Sequence, residues 1–156
     1  MRTRITLVTT VATLTLAAPA TPASALSLTI GTSASFSNFR PGQTATGSGS
    51  LIATALPPWT LTVADLGTGA GHMVKATTGC SGSDSQLTNA LTVTVTGSGI
   101  TSAGAKAISG TTTTVASGGN VLVAAVLATN YSQVIPASQT MLTGCVYSLT
   151  ATYTLQ

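Results

Sequence analysis

The chain has 156 residues, of which five are Lys or Arg, two are Asp and none is Glu. Charged residues make up 4% of it, against about 25% in an ordinary soluble domain. Charge this scarce excludes a charged helical bundle, a disordered polyelectrolyte and a nucleic-acid binder with a basic stripe.

The first element is a targeting segment. Arg2 and Arg4 form a short positive region, and an uncharged apolar run follows over 5–18. Ala23-Ser-Ala25 then supplies the small-x-small pattern of a secretory signal peptide. Cleavage is expected after Ala25, with Leu26 as the mature N-terminus. The competing reading is a membrane anchor, but the run is shorter than the ~20 residues that span a bilayer. No second hydrophobic span follows, so no membrane span is expected in the mature chain. After cleavage the charged residues are Arg40, Lys75 and Lys106 against Asp65 and Asp84, a net charge of +1.

The mature sequence is rich in Thr, Ser, Gly and Val, which favour strands and turns over helices. Leu26, Leu28 and Ile30 alternate with Ser27 and Thr29. Trp59, Leu61 and Val63 alternate with Thr60, Thr62 and Ala64. Leu91, Val93 and Val95 alternate with Thr92, Thr94 and Thr96. Near the end, Cys145, Tyr147, Leu149, Ala151, Tyr153 and Leu155 share one face, and Ser148, Thr150, Thr152 and Thr154 the other. Each run reads as a half-buried strand with a threonine-coated outer face. The stretch 120–129 lacks alternation. It is either a strand buried on both faces or one short helix, and its valines and flanking glycines favour the strand.

Turn signals separate the runs: Arg40-Pro-Gly42, Gly47-Ser-Gly49, Pro57-Pro58, the glycines at 67, 69 and 71, the segment 79–82, Gly97-Ser-Gly99 and Ser117-Gly-Gly119. Many short strands spaced in this way predict an all-β fold: one antiparallel β-sandwich, immunoglobulin-like or jelly-roll-like, over 26–156. Cys80 and Cys145 are an even number of cysteines in a chain read as exported, so one disulfide between them is expected. The near absence of charge leaves edge strands without the usual gatekeepers.

Two stretches carry a family resemblance. The first is Trp59-Thr-Leu61, within Pro58-Trp-Thr-Leu-Thr-Val-Ala-Asp65. The second is Tyr147-Ser-Leu-Thr-Ala-Thr-Tyr-Thr-Leu155. Together they resemble the two motifs of the WxL domain of Gram-positive surface proteins, with Tyr153 at the place of the second Trp and Ala151 where a Leu is usual. The resemblance implies a secreted, non-enzymatic domain on the cell surface. Its partners would be a cell-wall polymer, peptidoglycan in the family, or other surface proteins.

The same residues also have a structural explanation. A lone strand Trp such as Trp59 is either a core anchor or an exposed ligand platform. Tyr147 and Tyr153 share a face with Leu149 and Leu155, which favours packing. Tyr131 is the better candidate for an exposed aromatic, and Asn130-Tyr-Ser132 matches a glycan acceptor.

Candidates for catalysis are few. His72 is the single histidine, in a glycine-rich loop after Asp65, and reads as a solvated loop residue. Asp84 reads as a turn residue bonding its own backbone. No Gly-x-Ser-x-Gly elbow, His-Glu-x-x-His or phosphate loop is present. No catalytic residue, metal site or cofactor is expected. The leading expectation is therefore a surface attachment domain. The alternatives are a pilin-like or coat-like subunit assembling by strand addition, and a carbohydrate-binding module using Trp59 or Tyr131.

Overall fold

The structure is a computed structural model, and it describes residues 26–37, 39–76, 85–141 and 145–156. The signal segment with Ala25, and also Cys80 and Asp84, lie outside the described residues.

Eleven strands are described, in chain order β1 (Ser27–Ser37), β2 (Thr44–Ala55), β3 (Trp59–Ala64), β4 (Val74–Lys75), β5 (Thr92–Thr96), β6 (Thr101–Ser102), β7 (Lys106–Ala107), β8 (Thr113–Gly118), β9 (Leu122–Val134), β10 (Tyr147–Ser148) and β11 (Thr152–Leu155). They form a five-stranded sheet ordered β1-β2-β9-β5-β7, a four-stranded sheet ordered β11-β3-β8-β6, and the pair β10-β4. Every pairing is antiparallel. The chain is all-β, with no helix among the described residues. Accordingly, no described helix is long and apolar enough to cross a membrane.

One buried cluster draws on both larger sheets. Leu51, Val93, Val95, Leu127 and Tyr131 come from the five-stranded sheet, and Trp59, Leu61, Val63, Val115 and Tyr153 from the four-stranded one. The alternation that predicts these positions follows from strand geometry, in which successive side chains point to opposite faces. From Cys145 to Leu155 the prediction holds residue by residue: every odd position is buried and every even one is half-exposed. The backbone is interrupted within that run, however. Its two strands, β10 and β11, belong to different sheets.

The stretch 120–129 is a strand, but it is not buried on both faces. Val121, Val123 and Val126 are exposed. Leu122 and Leu127 are buried although they differ in parity. A register shift in the β2–β9 pairing between Ala53 and Ala55, with Ala124 at φ 46°, accounts for this. The extra residue of a bulge moves the following side chains to the opposite face. The Thr54 hydroxyl holds the bulge by accepting from the Ala124 amide at 3.1 Å.

Gly47-Ser-Gly49, read as a turn, is also corrected: it lies inside β2. A Cβ at Gly47 would stand 2.8 Å from the Ser35 carbonyl oxygen, and one at Gly49 2.7 Å from that of Thr32. These contacts flank the register shift between Thr32 and Ser35 in β1. The two glycines therefore let an irregular edge strand lie close to its neighbour, a recurrent use of glycine within strands.

On β3, Thr62 and Ala64 are buried instead of forming an exposed threonine face. The strand is interior to its sheet, with Thr62 paired to Thr154 on one side and Thr114 on the other. The Thr62 hydroxyl donates to the Thr154 carbonyl at 3.4 Å.

Candidate functional site

The residues singled out by motif all face inward. Trp59 is 2% exposed, and its indole N–H donates to the Asn120 carbonyl at 2.8 Å. Its ring lies against the backbone of Gly118, its cross-strand partner, where a Cβ would have no room. Leu61, Tyr147, Tyr153 and Leu155 are buried as well. The two motifs meet, because β3 and β11 are adjacent and Leu61 stands opposite Leu155. What they build is core.

Tyr131, expected to be exposed, is also buried. It is on the core face of β9, beside Phe36 with ring centroids 6.2 Å apart. Its hydroxyl is 2.7 Å from that of Tyr153, so this bond joins the two larger sheets. Burial pushes the pKa of Tyr131 up, against the hydrogen bonds to Tyr153 and Thr129. Burial also raises Tyr153, with the neighbouring Tyr131 adding to the shift. Neither aromatic is placed to serve as a glycan platform.

The candidate acid–base groups are taken up by loop structure. Asp65 is 2% exposed, and its two carboxylate oxygens accept the amides of Gly67 at 2.9 Å and Gly71 at 2.8 Å. His72 is half-buried, with Nδ1 2.9 Å from the Leu87 carbonyl oxygen. Among the described residues, no group of three or more His, Cys, Asp or Glu is placed to hold a metal. Cys145 is buried. The expected Cys80–Cys145 pairing is not shown, because Cys80 lies outside the described residues and no sulfur–sulfur distance bears on it.

Among the described residues, one surface feature that could act on a ligand was not indicated by the motifs. Across the outer face of the five-stranded sheet, register aligns polar side chains from four strands in two rungs. One rung is Ser35, Ser48, Asn130 and Thr94, and the other is Ser37, Thr46, Ser132 and Thr92. Neighbouring strands are about 4.8 Å apart and rungs two residues apart are separated by about 6.8 Å, so the array measures roughly 14 by 7 Å. It floors an open cleft of about 640 Å³, to whose lining Ala105, next to β7, also contributes.

No lining residue carries a charge. Each hydroxyl can donate and accept, and the Asn130 amide does both through separate atoms. The Thr92 hydroxyl is committed to the Ser132 carbonyl at 2.9 Å, which leaves the remaining groups to face solvent. Asn130, the residue that matches a glycan acceptor, is exposed in the middle of this face. Such a surface can bind a neutral, hydroxyl-rich molecule. Its lining residues are hydroxyl, amide and small apolar groups, with no carboxylate or imidazole among them.

The sequence signal for the cleft was present but unspecific. Alternating Ser and Thr on β1, β2 and β5 marked polar faces, yet only the register across β9 puts them side by side. No family model, no curated protein and no solved structure matches the chain.

Proposed function

We propose that this protein is a secreted, non-enzymatic surface domain. It attaches without covalent linkage to the cell wall or to partner surface proteins, and the outer cleft of the five-stranded sheet is its contact for a neutral polymer chain. The observation that carries this reading is the charge-free double rung of hydroxyl and amide groups over four strands. The signal-like segment and the WxL-like motifs support export and a surface location. The motifs support the reading as determinants of the fold, not as contacts.

The fold beneath it is read as a single β-sandwich of the immunoglobulin-like or jelly-roll-like kind, supported by one core shared between the two larger sheets. A Cys80–Cys145 disulfide belongs to the same reading. Its support is that Cys145 is buried and that no described cysteine is a free thiol.

Co-sedimentation of residues 26–156 with purified cell walls tests the function. The wild type is expected in the pellet. Ser48→Ala with Asn130→Ala should lower the affinity about tenfold, read from the bound fraction as wall concentration is varied, without changing the melting temperature, since two bonds of roughly 0.5–1.5 kcal/mol are lost at an exposed site. Trp59→Phe, if folded, should bind as the wild type does. A protein that stays wholly in the supernatant removes the proposal. Undiminished binding by the double variant removes the cleft from it.

A further inference from the structure

The two larger sheets end in four edges, and three of them are short. β7 has two residues and begins with Lys106, β6 has two, and β11 has four. The fourth edge, β1, has eleven residues and pairs only with β2. It contains no charged residue and no proline. Natural sheets blunt long edges with charge, proline, short length, cover or bulges, and among the described residues β1 has only the last of these. Its register shifts fall between Ile30 and Thr32 and between Thr32 and Ser35, so Ser27–Ile30 remains in regular pairing with β2. Within that run Leu28 and Ile30 point toward the core but are only partly covered, packing against its margin.

We propose that this edge pairs with the β1 edge of a second copy, joining two five-stranded sheets into one. The occupant follows from self-complementarity. Antiparallel pairing of a strand with itself sets residues of the same segment opposite one another, and an uncharged segment meets no like-charge repulsion there. A two-fold axis normal to the sheet keeps both core faces on one side. Leu28 and Ile30 of one copy then cover those of the other. The outer clefts of both copies would share one surface, with Ser35 and Ser37 on the strand next to the junction. The pairing does not depend on what the cleft binds. One strand-to-strand contact buries less than the ~1,200 Å² of a standard interface, so a weak dimer of micromolar or higher dissociation constant is expected.

Sedimentation equilibrium on residues 26–156, which hold every described strand, tests this from micromolar to millimolar concentration. The mass should rise from monomer to dimer and stop there. Thr29→Lys with Ser33→Lys, at two exposed positions of β1, should raise the dissociation constant at least tenfold by placing like charges across the junction. Ser98→Lys with Ser138→Lys, at exposed positions outside the strands, adds the same charge and should leave it within twofold. As a second readout, amide exchange over 27–30 in the wild type should slow as concentration rises. The proposal is overturned by a monomer throughout, by growth beyond a dimer, by equal weakening in both charge variants, or by exchange that does not depend on concentration.

Discussion

Replacing Trp59 by alanine removes the largest side chain of the shared core and the indole N–H that bonds to the Asn120 carbonyl at 2.8 Å. Large-to-alanine changes at buried aromatic positions cost about 3–5 kcal/mol, through lost transfer energy and the cavity left behind. Little relaxation is expected here, because the ring is held between a sheet backbone at Gly118 and the surrounding core. Asn120 is itself exposed, so water can replace the lost donor and that part adds little. Typical domains hold roughly 5–15 kcal/mol in total. The variant should therefore lose about a fifth or more of its stability, and its melting temperature should fall by roughly 10–20 °C for a chain of this size.

Urea unfolding followed by far-UV circular dichroism measures the loss, with an unchanged m-value showing that the denatured state is the same. Trp59→Phe keeps most of the apolar area but loses the N–H, and should cost about 1–2 kcal/mol. The folded fraction of either variant should bind cell walls as the wild type does. A Trp59→Ala protein that loses under about 1 kcal/mol yet no longer binds would refute the argument, and would make Trp59 a ligand contact.

Four further outcomes are expected. Tyr131→Phe takes away the hydroxyl bonded to that of Tyr153 and should cost about 1–3 kcal/mol, Tyr153→Phe should cost less because the Tyr131 hydroxyl keeps its bond to Thr129, and the double variant should cost less than the two together; a double-mutant cycle by urea unfolding reads the coupling. Both tyrosines have raised pKa values in the fold, so the neutral forms are favoured there. Their contribution is thus complete below the ordinary tyrosine value of about 10 and declines as pH rises beyond it, and the double Phe variant should flatten that alkaline limb of the stability profile. Asp65→Asn sets an amide N–H against one of the two loop amides, and should lower the unfolding free energy by about 1.5–3 kcal/mol with no change in dichroism. Reduction by an added dithiol should remove roughly 4 kcal/mol if Cys80 and Cys145 are joined, and a mass increase of two hydrogen atoms after mild reduction identifies the bond.

The alternation over 145–155 was legible because the strand period is a local property of the chain. The threonine coating of β5 was legible for the same reason. Other readings failed where a local pattern had a non-local cause. The uninterrupted apolar run near Val123 reflects a bulge at Ala124, and without a partner strand a bulge looks like a loss of period. Gly47 and Gly49 carry the composition of a turn, but they serve the close approach of β1, which only strand pairing creates.

By itself, then, the sequence determined a nearly uncharged, strand-rich chain whose buried and outer faces could be assigned within single runs. Tertiary structure decided which runs became neighbours. It turned Tyr131 inward to meet Tyr153, made the motif tryptophan a core residue, and aligned hydroxyls from four distant segments into one cleft. The reason is physical. Which face a strand residue occupies follows from its own backbone, whereas the residue beside it across the sheet is set by register. Register depends on bulges and on burial summed over the whole core.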